Sequence, residues 1–162
     1  MPFQNFLYPI LGDQILTIGS STALGNFAIQ DTAAVFSSSN SIKIAPAICY
    51  ESIYGDYMRK FIQKGAQVIF IITNDGWWKK TSGYQQHSMY AQLRAIETRR
   101  YIARSANTGV SSIINQLGEI QKSMPWDKEG VISYEVPLYN QKTFYVRHGD
   151  FLGRLASFFS IL

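Results

Sequence analysis

One cysteine occurs in the 162-residue sequence: Cys49, in the run IAPAICYESIYGDY from Ile44 to Tyr57. A thiol can be a nucleophile, a metal ligand or simply a small buried side chain, and free cysteine is among the most buried residue types. A metal centre needs several donors at ligand spacing. The two histidines, His87 and His148, lie far from Cys49 in the chain, so no metal cluster is expected and no cofactor is implied. A nucleophilic thiol needs a base and donors for the oxyanion it creates. His87 is the obvious base for a Cys–His pair, with Asn107 as an orienting third member, but spacing alone does not bring them together.

The elements around Cys49 favour the nucleophile. Ile42 to Ile48 reads as a strand that pairs with Ala33 to Phe36 across SSSNS, with Pro46 suited to an edge or a bulge. A helix is predicted from Ser52 to Lys64 on the spacing of Ile53, Tyr57, Phe61 and Ile62, with Gly65 as its stop. VIFIIT, Val68 to Thr73, then reads as a strand covered on both faces. Strand, helix and strand predict two parallel strands ending at one edge, which sets Cys49 beside NDGWWKK, Asn74 to Lys80. There a sulfur can meet amide N–H groups and the positive end of a helix dipole.

Downstream, a helix is predicted from Tyr84 to Arg104, with Met89, Leu93 and Ile96 as its apolar stripe. Arg94, Glu97, Arg100 and Arg104 read as structural ion-pairing charges on that helix. GVSSIIN, a turn at Gln116 to Gly118, EIQKSM and VISYEV read as a strand meander ending near Pro137, and Met1 to Asn40 reads as loop-rich.

Composition sets the bounds. Hydrophobic residues at 46%, charged residues at 16%, 10 Tyr, 10 Phe and 3 Trp describe one globular domain with ample core material. The net charge of +4 is dispersed, without the dense basic run of a nucleic-acid partner. No signal-peptide pattern opens the sequence, and one cysteine forms no intrachain disulfide. The apolar end FLGRLASFFSIL would reach about 18 Å as a helix, short of a roughly 30 Å hydrocarbon core. It suits the beginning of a membrane helix, an interfacial anchor or a helix docked on the core.

PAICYE, NDGWW, QQHSMYAQLRAIETRRYIARSANTG and NQLGEI, in that order, resemble the nitrilase-like, or carbon-nitrogen hydrolase, catalytic domain of the apolipoprotein N-acyltransferases, from about Pro2 to Phe159. The resemblance implies an α/β fold, a partial nitrilase-like αββα sandwich. Residues 1–150 would belong to the catalytic domain and 151–162 would begin a C-terminal membrane helix. It implies a bacterial inner-membrane protein with this domain on the periplasmic side, a phospholipid acyl donor and an apolipoprotein acceptor. By the same resemblance Cys49 takes the acyl chain as a thioester and passes it to the N-terminal amine of a diacylglyceryl-cysteine. Tyr50 and Glu51 would support the nucleophile, while Asn74, Trp77, Trp78 and His87 would bind substrate. Lys79 and Lys80 could meet phospholipid phosphates.

The family's general-base glutamate and oxyanion lysine lie upstream of the segment that Met1-Pro2-Phe3 resembles, and Gln4 and Asn5 stand where a supporting glutamate is expected. Loss of a base costs about 10² to 10⁴ in rate and loss of an oxyanion donor about 10² to 10³, so these residues alone are expected to be nearly inert. The rival readings are a soluble nitrilase-type amidase and an inactive fragment. The apolar tail and the Trp77-Trp78 pair favour a lipid substrate over the amidase.

Overall fold

The computed structural model describes residues 32–161; the loop-rich reading of the first 31 residues, and the matches at Pro2, Phe3, Gln4 and Asn5, lie outside them. The described strands are β1 (Phe36–Ser37), β2 (Lys43–Ile48), β3 (Val68–Thr73), β4 (Tyr101–Ala106), β5 (Ser111–Ile114) and β6 (Ile120–Met124). They form one mixed sheet in sequential order: β2, β3 and β4 are parallel, and the remaining pairs are antiparallel. The helices are α1 (Gly55–Gln63), α2 (Ser82–Thr98), α3 (Phe144–His148) and α4 (Phe151–Ile161).

The expected strand, helix and parallel strand are all present. β1 reaches only Lys43 and Ile44 of β2, so Pro46 sits beyond this pairing, where its missing N–H costs no bond to β1. The helix after Cys49 begins as a 3-10 turn, Cys49–Ile53, before α1 proper. It stops as predicted: Gly65 takes φ +94°, its N–H donates to Ile62 and the Ala66 N–H to Phe61. Met58, Phe61 and Ile62 of α1 pack with Ala45, Ala47, Ile69, Ile71, Ile102 and Ile114 of the sheet, forming the main core on one sheet face.

Four expectations are corrected. VIFIIT is covered on one face only, since among the described residues Phe70 and Ile72 remain exposed. At one end of that face Val68, Tyr101 and Ile113 are packed by Ile132, Tyr134 and Val136. VISYEV, read as the last strand of the meander, instead runs over the sheet without joining its ladder.

The long predicted helix ends at Thr98, because Arg99 turns left-handed at φ +51° and the chain enters β4. Arg104 therefore belongs to a strand and Arg100 to the link just before it; among the described residues Arg100 pairs with no acid and donates instead to the carbonyls of Ala66 and Gln141. The buried face of α2 is also not the apolar stripe. It consists of His87, Ser88, Ala91, Arg94, Ala95 and Thr98, while Met89, Leu93 and Ile96 are exposed. Small residues let α2 approach the sheet closely, and polar ones meet partners there.

Candidate active site

The carboxyl ends of β2, β3 and β4 share one edge, so the segments that follow them converge. Cys49 closes β2 with φ +51°, a left-handed backbone that costs a side-chain-bearing residue about 1–2 kcal/mol. Such strain persists where the surroundings over-determine it. The Ile48 N–H donates to the Glu51 carboxylate at 2.8 Å, as in the return half of a capping box. The Ser52 hydroxyl donates to the Cys49 carbonyl at 2.8 Å, and His87 Nε2 lies 3.3 Å from the same oxygen. Cys49 itself is half-buried.

Behind this turn sits a buried polar cluster. His87 Nδ1 is 2.8 Å from Asp75 Oδ1, and Arg104 Nη2 is 2.6 Å from Asp75 Oδ2. Thr73 adds a hydroxyl to Asp75 Oδ1 at 3.1 Å. Burial pushes the Asp75 carboxyl up, but the hydrogen bonds and charges of His87 and Arg104 outweigh it and hold the group below its ordinary range. The R-S-A-N-T-G loop closes over the cluster: the Asp75 N–H donates to Thr108 at 2.7 Å and the Asn107 N–H to Thr73 at 2.9 Å. Gly109, at φ +136°, leaves room for the carboxylate, since a Cβ there would stand 2.5 Å from Asp75 Oδ2.

Tyr50 stacks on Trp78, with centroids 5.8 Å apart, and both rings lie against His87 at 5.6 and 5.3 Å. Trp78 in turn lies over Gly83 in the first turn of α2, where a Cβ would come within 2.4 Å of the indole. Trp77 points outward at 74% exposure, and the exposed Asn74 folds back to accept the Gly76 N–H at 3.0 Å. Asn107 is exposed, so the orienting role beside His87 falls to Asp75.

Thus the edge gathers Cys49, Tyr50, Glu51, Trp78 and His87 tightly, with Asn74 and Trp77 at its rim. His87, expected at the substrate, is 2% exposed, and its ring nitrogens face Asp75 and the Cys49 carbonyl. Sequence reasoning missed Ser52, Asp75 and the role of Arg104. The N-D-G turn concealed Asp75, whereas a histidine and an arginine flanking that acid in the fold are visible only once β4 is recognised.

The edge thus presents a half-buried cysteine on a left-handed strand-to-helix turn, backed by a buried ion pair. The chain belongs to the carbon-nitrogen hydrolase family, whose pattern matches residues 9–142. Its structural neighbours include the carbon-nitrogen hydrolase of Helicobacter pylori G27, at 16% identity over 64% of this chain and 43% of that one, TM-score 0.55. An amidase from Nesterenkonia sp. AN1 matches at 16% identity over 82% and 51%, TM-score 0.57. At these identities they establish the fold, the α/β arrangement of the nitrilase superfamily.

More specific likeness comes from curated relatives. The apolipoprotein N-acyltransferase of Chlorobaculum tepidum is 40% identical over 109 residues, 67% of this chain and 20% of the relative. That of Shewanella oneidensis is 33% identical over 150 residues, 93% of this chain and 28% of the relative. The chain therefore spans between 20% and 28% of the length of these two relatives.

Proposed function

We propose that this chain carries the nucleophile of an acyltransferase that moves a phospholipid acyl chain to the N-terminal amine of a lipoprotein's diacylglyceryl-cysteine. The observation that carries the reading is Cys49 on its braced, left-handed turn at the end of β2, in a sequence akin to apolipoprotein N-acyltransferases.

In the first step the Cys49 thiolate attacks the ester carbonyl; the Sγ–C bond forms, the ester C–O bond breaks, and the lysophospholipid leaves with a proton. In the second step the acceptor amine attacks the thioester, the C–S bond breaks, an amide forms and the thiol regains a proton. Among the described residues none is assigned as general base or oxyanion lysine. Glu51 is occupied with the Ile48 N–H and braces the nucleophile instead.

Trp77, exposed at the rim, offers an apolar surface for the acyl chain, with Trp78 and Tyr50 lining the way to Cys49. Asn74 is the polar contact at that mouth, and Lys79 and Lys80 face lipid phosphate. We assign the site to the periplasmic face of the bacterial inner membrane. Among the described residues no helix is long and apolar enough to cross a membrane. Exposed Leu152, Leu155, Phe158 and Phe159 on α4 nevertheless support contact with lipid.

The reading is tested with the protein expressed at full length, phospholipid vesicles and a diacylglyceryl lipopeptide. N-acylated lipopeptide should form, and Cys49→Ser should abolish it. Hydrolysis of short amides without acyl transfer would favour the soluble amidase instead.

A further inference from the structure

We propose that Tyr84 and Trp126 extend the aromatic lining beside Cys49 into a subsite for the outer part of the acyl chain, with Trp126 setting which chain lengths are favoured. The inference rests on Cys49 as the acyl-accepting nucleophile and adds where the chain lies.

The row of rings follows from the way the elements end. Tyr50 is next to Cys49 in the chain and stacks on Trp78, and both rings lie against His87. Tyr84 precedes His87 by three residues on α2, so the two side chains share one face of the helix. Because α2 starts from the edge where β3 ends, Tyr84 lies one turn nearer that edge than His87. Trp126 packs on Tyr84 with ring centroids 4.6 Å apart and planes at 49°, a tilted aromatic pair.

Trp126 reaches the edge from the other side of the sheet. β6 ends at Met124, opposite Ser111, whose hydroxyl accepts the Ala106 N–H where β4 ends. Pro125 has its φ fixed by the ring, and Asp127 turns left-handed at φ +55°, so Trp126 is held at a bend in the chain. Tyr84 and Trp126 are both half-buried: they cover part of each other and keep apolar surface open.

Of the groups that the reaction brings to Cys49, the acyl chain alone is both joined to Sγ and apolar along its length. Once the lysophospholipid has left, that chain needs a protein surface in place of its lipid neighbours, since every exposed methylene is costly in water. Aromatic side chains supply such area at small entropic cost, having only two side-chain torsions to fix. In the order of contacts from Cys49 the row runs Tyr50, Trp78, then Tyr84 beyond His87, and last Trp126. Trp126 therefore meets the distal carbons of a long chain and is out of reach of a short one.

The full-length protein tests this with reagents that need no acyl transfer. Cys49 is alkylated with N-ethylmaleimide and with N-dodecylmaleimide, and the modified Cys49 peptide is followed by mass spectrometry. Wild type should favour the dodecyl reagent. In Trp126→Ala the dodecyl-to-ethyl rate ratio should fall about tenfold, the equivalent of roughly two buried methylene groups. Tyr84→Ala should lower the ratio too, and Trp126→Phe should restore most of it. A second readout uses wild type alone: a dodecylmaleimide with a diazirine on the outer half of its chain, once attached to Cys49, should photocrosslink to the peptides bearing Tyr84 or Trp126. An unchanged ratio in folded Trp126→Ala, or crosslinks confined to other peptides, would overturn the proposal. So would an unchanged ratio together with a raised KM for the lipopeptide, which would give the pair to the acceptor instead. A lowered ratio in a protein that forms no N-acylated lipopeptide would refute the acyltransferase reading and leave the apolar-chain subsite standing.

Discussion

Arg104 Nη2 lies 2.6 Å from Asp75 Oδ2, in an ion pair whose side chains have no solvent exposure. Breaking a buried pair by removing one charge leaves the other uncompensated and typically costs about 3–5 kcal/mol. Asp75→Asn keeps the shape but strands Arg104, and should lower unfolding free energy by about 3 kcal/mol. Urea denaturation measures this; a loss below about 1 kcal/mol, the size of an ordinary surface change, would show that the pair is not holding the edge together.

The same pair sets a dependence on acid. Burial raises the Asp75 carboxyl, but His87 and Arg104 overcome that and hold it low, so the folded chain binds fewer protons here than the unfolded one. The contribution of Asp75 is therefore complete above its unfolded pKa of about 3.9 and is lost as pH falls through the depressed folded value. Glu97 works the other way: burial raises it despite Arg94, with Asp56 adding to the rise, so its contribution declines as pH increases from about 4.3. The difference between wild type and Asp75→Asn isolates the first group. That difference should be constant near neutrality and shrink below about pH 4.

How much of this was legible depends on where the buried chemistry lies. Gly65 and the apolar spacing of α1 announced the strand, helix and strand, and with them the position of Cys49. The second helix misled in two ways. It ends on Arg99 in a left-handed conformation, where glycine would have been a visible stop, and its buried face carries Ala91, Ala95, Ser88 and Thr98 in place of large apolar residues. Hydropathy therefore pointed to the exposed stripe, and Arg104 was given a helical neighbour when its partner is Asp75, far away in sequence. His87 was singled out, but whether a ring reaches a thiol or a carbonyl is a matter of ångströms that spacing does not contain.

Gly109→Ala should be disruptive out of proportion to one methyl group. The position has φ +136°, and a Cβ would stand 2.5 Å from Asp75 Oδ2. Backbone strain alone costs about 1–3 kcal/mol, so a destabilisation of at least about 2 kcal/mol is expected from thermal or urea melts. A neutral effect would mean the loop does not press on the carboxylate.

Trp77 and Trp78 should separate cleanly. Trp77 is 74% exposed, so Trp77→Ala should leave stability within about 0.5 kcal/mol while raising the KM for phospholipid. Trp78 is wedged between Tyr50 and Gly83, so Trp78→Ala should cost about 2 kcal/mol of stability and loosen the Cys49 turn. Equal effects of the two on melting and on KM would contradict this division.

Glu51→Gln retains an acceptor for the Ile48 N–H but removes the charge that strengthens the bond. A capping interaction is worth about 0.5–2 kcal/mol, and we expect a loss near the lower end for Gln and the upper end for Ala. Iodoacetamide reactivity of Cys49 should fall in the same order. Faster alkylation in Glu51→Ala would argue that the carboxylate restrains the thiol instead of bracing it.

The acyl-thioester is the intermediate on which the functional reading stands. Intact and peptide mass spectrometry of the full-length protein after incubation with phospholipid should find one acyl chain on the peptide bearing Cys49, released by hydroxylamine and absent from Cys49→Ser. Equal acylation of wild type and Cys49→Ser would contradict it.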